Sequence, residues 1–226
     1  MNTKLFFRLF FATFMLLSLS NVAKAGDDWA QFDVYSKKNA HLEETIRPKA
    51  VFMGNSITEG WAKFHPEFFS ANNFIGRGIS GQTTYQMLLR FRDDVINLQP
   101  EYVVILGGTN DIAENNHNYN EDRTFGNIVS MAELAEANGI KVILTSVLPA
   151  RSFPWRKAIT DAPEKIKYLN KRIEDYARQK NIAFVDYYPV MTLDGISLNP
   201  AYSEDGVHPN LKGYSQMEKL VVEALK

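Results

Sequence analysis

Tyr102-Val103-Val104-Ile105-Leu106-Gly107-Gly108-Thr109-Asn110-Asp111 is the stretch on which the fold turns. Its first half is an unbroken apolar run, rich in β-branched residues and too short for a typical buried helix, so it predicts a strand. Because the run is continuous rather than alternating, both faces of that strand are expected to be covered, as in a parallel sheet flanked by helices. Gly107 and Gly108 end the run, and the polar triplet behind them begins a turn.

Similar runs lie to either side, at Ala50 to Met53, Phe74-Ile75, Val142 to Val147 and Ile182 to Val185. Between them apolar residues recur with helical spacing: Leu88, Phe91 and Val95; Ile128, Met131 and Ala135; Ile166, Leu169, Ile173 and Tyr176. Asp161 before Pro163 marks the start of the third helix, and a last one is expected from about Gly213 to the C-terminus. Residues from about Gly26 to Arg47 have no clean period and read as a lead-in. Strands alternating with helices predict an α/β fold with a mainly parallel sheet and helices on both faces, with residues 26–226 as one domain. In such sheets ligands bind beyond the C-terminal ends of the strands.

The first 25 residues read differently. Lys4 and Arg8 precede an apolar run from Leu9 to Leu19, and Ala23 and Ala25 form an A-x-A-like site before Gly26, the pattern of a cleaved signal peptide. A secreted or periplasmic protein is therefore expected, with no stable membrane insertion after cleavage; a retained anchor is the alternative. The chain has no cysteine, which excludes disulfides, thiolate metal sites and a cysteine nucleophile. With 25 basic and 26 acidic residues in 226, it lacks the broad positive field of a nucleic-acid binder.

Four stretches can carry chemistry. Gly54-Asn55-Ser56-Ile57-Thr58-Glu59-Gly60-Trp61 follows the first strand and puts Ser56 at a strand-to-helix turn, although Ser56 and Glu59 also fit an S-x-x-E capping box. Gly76-Arg77-Gly78-Ile79-Ser80-Gly81-Gln82-Thr83-Thr84 follows the second. Its glycines let backbone NH groups approach a ligand, or they form a plain turn before a threonine cap. They also match G-x-G-x-x-G, but the acidic partner a dinucleotide site needs is misplaced, since Glu101 precedes the next strand. In the third stretch the Asn110 amide can donate to a developing oxyanion, or serve only as turn chemistry. In Asp205-Gly206-Val207-His208-Pro209-Asn210 the imidazole can accept a serine proton, and a carboxylate three residues earlier can hold its other nitrogen. His41, His65 and His117 fall outside these stretches and read as surface or structural residues.

Together the four stretches resemble the blocks of the SGNH hydrolase family, also called GDSL-like lipases and esterases. Gly-Asn-Ser-Ile-Thr matches the nucleophile block at Ser56, Gly-Ile-Ser-Gly-Gln-Thr the glycine block at Gly81, Gly-Gly-Thr-Asn-Asp the asparagine block at Asn110, and Asp-Gly-Val-His-Pro the last block at Asp205 and His208. The resemblance implies a flavodoxin-like three-layer α/β/α sandwich and metal-free, cofactor-free ester hydrolysis. It implies Ser56, Asp205 and His208 as the triad, and Ser56, Gly81 and Asn110 as oxyanion donors. One departure is Asn55, where the family name places aspartate.

For the substrate, a compact chain with no obvious lid insertion suggests a short acyl group, and export suggests O-acetyl groups on carbohydrate. Trp61, Phe64, Phe68, Phe69, Phe153 and Trp155 are candidates for an aromatic sugar-stacking rim or for core packing. A lysophospholipid or other short-chain lipid ester, transfer of the acyl group to a sugar hydroxyl, and glycan binding without turnover remain as alternatives. Nothing in the sequence sets the oligomeric state.

Overall fold

The computed structural model describes residues 28–43 and 47–226. Its centre is a parallel five-stranded sheet of β1 (Ala50–Gly54), β2 (Phe74–Gly78), β3 (Tyr102–Leu106), β4 (Lys141–Thr145) and β5 (Ala183–Val185), in the order β2-β1-β3-β4-β5. The helices are α1 (Asp33–Glu43), α2 (Ser56–Phe64), α3 (Pro66–Ala71), α4 (Thr84–Phe91), α5 (Thr109–Ile112), α6 (Glu121–Ala137), α7 (Ala162–Lys180), α8 (Tyr188–Met191) and α9 (Leu211–Ala224). A π-helical turn, Arg92–Ile96, extends α4.

Successive strand residues point to opposite faces, and the core divides accordingly. Val51, Met53, Val103, Ile105 and Leu144 pack against α4, α6 and α7 through Met87, Phe91, Ile128, Met131, Ile166 and Leu169. Phe52, Val104, Leu106, Ile143 and Val185 pack the other way, against Ile57, Trp61, Phe69, Tyr214 and Met217. Buried residues on both sides of β3 account for its unbroken apolar run, and the result is the three-layer α/β/α sandwich expected from the sequence.

Two differences from the sequence reading bear on the site. Within the lead-in, residues Asp33–Glu43 form α1. Strand β2 continues past Ile75 to Gly78, through glycines that carry little strand signal of their own. They are there for proximity to α2: a Cβ on Gly76 would stand 2.6 Å from the Ala62 Cβ, and one on Gly78 2.2 Å from the Glu59 nitrogen.

Register then sets the site. Gly54 pairs with Gly78 on one side and Leu106 on the other, so β2, β1 and β3 end level. The loops bearing Gly81, Ser56 and Asn110 therefore leave the sheet side by side. The chain runs from β1 outward to β2, then crosses to β3 on the other flank of β1, which is the switch point where α/β sheets bind ligands. No helix among the described residues is long and apolar enough to cross a membrane, and the expected signal peptide at 1–25 lies outside them.

Candidate active site

Ser56 is the first residue of α2, at the helix's positive end, where its NH has no intrahelical acceptor. The cap is Asn55 rather than Ser56: its buried side chain accepts from the Ile57 NH at 3.1 Å. A short polar acceptor at this position is what the helix start requires, and Asn supplies it without adding charge beside the serine. Nor does Glu59 complete a capping box. It reaches across to the next loop and accepts from both the NH and the hydroxyl of Ser80, tying α2 to the segment that carries Gly81.

The Ser56 hydroxyl lies 2.9 Å from His208 Nε2, and His208 Nδ1 lies 2.7 Å from Asp205 Oδ2. The other Asp205 oxygen accepts from the backbone NH of Val207 at 2.9 Å and of His208 at 2.8 Å. Gly206, at φ +79°, takes the left-handed turn that folds the carboxylate back onto the imidazole. Partial burial alone would raise the Asp205 pKa; the hydrogen bonds from His208 and Val207 outweigh it and lower the pKa to about 2. This imidazole, held at Nδ1 by a carboxylate, can take a hydroxyl proton at Nε2. Both side chains remain reachable by water, with His208 37% and Asp205 42% exposed.

Asn110 is buried, and its amide donates to the Gln82 carbonyl at 2.9 Å, which leaves a second N–H. Its oxygen accepts from Asn115 Nδ2 at 3.0 Å, so Asn115 decides which way the Asn110 amide faces. Asn115 also reaches the Gly81 carbonyl at 3.4 Å. Gly81 has φ +78° and open space where a Cβ would stand. Ser56, Ser80 and His208 line one cavity of about 250 Å³ with Gly60, Lys63 and Phe64. A neighbouring cleft of about 430 Å³ shares His208 and Phe64 with it and extends past Glu204 to Leu211. All five residues singled out from the sequence are thus brought to the C-terminal end of the sheet, three in a direct line and two linked through Gln82 and Asn115. Among the described residues no cluster of three His, Cys, Asp or Glu is arranged to hold a metal.

Beneath the Ser56 turn lies a buried polar network absent from the sequence reading. Arg90, fully buried on α4, donates to the Gly54 carbonyl and the Arg77 carbonyl at 2.9 Å each, to Gln82 Oε1 at 2.5 Å and to Asp94 at 2.7 Å. Arg77 in turn donates to Asn39 on α1, whose amide reaches Asp94 at 2.6 Å, while the Tyr35 hydroxyl donates to the Gly78 carbonyl. The available signal was Arg90 and Asp94 four residues apart on the same stripe as Met87 and Phe91, a place where only a paired charge is tolerated.

The aromatic candidates separate cleanly. Trp61, Phe69 and Phe153 are core residues, and Phe68 stacks on Trp61 at 5.6 Å. Phe64, 53% exposed, and Trp155, 41% exposed, remain at the surface, and both border His208. Trp155 lies in the segment between β4 and α7, with its ring 5.9 Å from the imidazole and its Nε1 donating to Asn115 Oδ1 at 2.9 Å. Through Trp155 that segment reaches His208. Of the three other histidines, His65 bonds Glu218 at 2.9 Å, His117 packs on Tyr85 at 4.2 Å, and His41 lies on α1.

A crystal structure of a GDSL-like lipase from Bacteroides thetaiotaomicron VPI-5482 is 59% identical, with a TM-score of 0.84 over 87% of this chain and 97% of that one. An acetylxylan esterase of Xylanibacter ruminicola is 25% identical over 229 residues, 83% of this chain and 44% of the relative. The uncharacterized lipoprotein YqeF of Bacillus subtilis is 38% identical over 80 residues, 34% of this chain and 33% of the relative. The chain thus spans less than half the length of these two curated relatives. The family model of the GDSL-like lipase/acylhydrolases matches residues 52–216, from the first strand to the last helix. On that match the chain belongs to the GDSL-like lipase/acylhydrolase family.

Proposed function

We propose that this protein is an exported serine esterase that removes short acyl groups, foremost O-acetyl groups on carbohydrate. The observation that carries the reading is the unbroken line from Ser56 through His208 to Asp205, at 2.9 and 2.7 Å. In this reading His208 takes the Ser56 proton as the serine oxygen attacks the ester carbonyl, and Asp205 stabilises the imidazolium. The oxyanion is met by the NH groups of Ser56 and Gly81 and by the spare N–H of Asn110. The alcohol leaves with the proton from His208; water then attacks the acyl-serine, with His208 again as base, and releases the acid.

Exposure of His208 and Asp205 leaves water free to reach the acyl-serine as acceptor. Carbohydrate is supported by the exposed rings of Phe64 and Trp155 flanking the imidazole, and by the acetylxylan esterase among the relatives. A lipid ester is the second reading, favoured by the cleft beside His208, where Phe64 and Leu211 present apolar surface. Export rests on the signal-peptide pattern of residues 1–25.

The test is p-nitrophenol release from acetyl and longer acyl esters by the wild type, Ser56→Ala and His208→Ala. Loss of turnover by about 1,000-fold or more in each variant, with the fold retained, is expected. Preference for acetate favours the carbohydrate reading, and preference for longer chains the lipid one. Equal rates in wild type and Ser56→Ala would overturn the mechanism.

A further inference from the structure

A third cleft, of about 670 Å³, lies along the loop that follows Asn115, lined by Trp29, Tyr85, His117, Tyr119, Asn118 and Arg123. Its volume lies within the range of small-molecule sites. We propose that it is a polysaccharide subsite, gripping the sugar chain beyond the residue whose ester is cleaved. The proposal rests on the esterase reading above and adds the polymeric nature of the substrate.

Three observations carry it. The first is chemistry: sugar rings present apolar C–H faces and equatorial hydroxyls, and the cleft offers aromatic faces beside polar groups. Trp29 is 48% exposed, and neither the Asn118 amide nor the Arg123 guanidinium has a side-chain partner among the described residues. The second is that the walls are built before any ligand arrives. Buried Gln86 donates to the Trp29 carbonyl at 2.6 Å and accepts from the Asn116 amide at 2.7 Å, joining the segment before α1, α4 and the 115–120 loop. The Tyr85 ring is backed by His117 at 4.2 Å. A wall already held in place loses little freedom on binding. The third is continuity: Asn115 touches both Trp155, beside His208, and Asn110, while the next residue, Asn116, lines the cleft. Adjacent residues of one loop thus join the cleft to the side chains around His208.

Two measurements test this on the wild type, Trp29→Ala and Arg123→Ala, with circular dichroism confirming the fold of each. Affinity electrophoresis in gels containing xylan, glucomannan or pectin reads binding without any need for turnover. Retardation of the wild type by at least one of them, weakened in both variants, is expected; no retardation by any, or equal retardation of all three proteins, overturns the subsite. In the second measurement, KM on the acetylated form of the retarding polymer should rise about tenfold in the variants, while kcat/KM on p-nitrophenyl acetate stays within about twofold. Equal losses on both substrates overturn the subsite as well. Absence of p-nitrophenyl acetate turnover in the wild type would instead sink the esterase reading.

Discussion

Asp205 divides its work between its two oxygens, one facing backbone NH groups and the other facing the imidazole. Those bonds hold its pKa at about 2, below the ordinary 3.8. A depressed carboxylate pKa means that the stabilisation is fully present above the unfolded value and is lost as pH falls through the folded one. The stability gap between wild type and Asp205→Asn should therefore narrow below about pH 4 and nearly close by about pH 2. Denaturation midpoints across that range check it, and a gap that persists unchanged at the acid end would show that the carboxylate charge is not what matters. At this scale the sequence was readable where a residue's own chemistry marks it as a candidate, as with Ser56 and His208. Trp155 was named only as one aromatic among six, and Asn115 was not readable at all, because its importance lies in whom it touches: it accepts from Trp155 and donates to Asn110.

The contact between α2 and β2 is a close joint beside the site, and glycine makes it possible. A Cβ on Gly78 would lie 2.2 Å from the Glu59 nitrogen and 2.5 Å from the Asn55 oxygen, both backbone atoms that cannot swing aside. Gly78→Ala should therefore destabilise the protein by about 1–3 kcal/mol and displace Ser56, lowering activity even at temperatures where the variant is folded. Chemical denaturation together with the p-nitrophenyl acetate rate measures both effects; full activity and unchanged stability would mean the joint is slack. Gly81 is the useful contrast, since its Cβ would meet nothing and only the left-handed φ of +78° stands against a side chain. The elements themselves were largely legible: the strands from their apolar runs and α4, α6 and α7 from their period. Strand β2 was cut short because Gly76, Arg77 and Gly78 serve α2 and the buried network rather than strand propensity. Helix α1 was missed because its faces are mostly polar, and it docks through Tyr35 and Asn39 instead of an apolar stripe.

The two helical layers do not touch the sheet independently, since β1, β3 and β4 lend alternate residues to both cores. Loss of either layer uncovers strands that the other layer needs, and unfolding should be a single transition. Tryptophan fluorescence, dominated on one side by the buried Trp61, and far-ultraviolet circular dichroism should give coincident urea midpoints. Two separated midpoints would mean that one layer melts first. The fully buried Arg90 bears on the molecule in another way. It contributes nothing to the surface a substrate meets, yet it grasps the carbonyl of Gly54 at the point where the chain turns toward Ser56, and that of Arg77 on the adjacent strand. An engineer who grafted the four motif loops onto another parallel sheet would leave this hand behind. The smallest transplantable version of the site is therefore the loops together with one face of the helix beneath them.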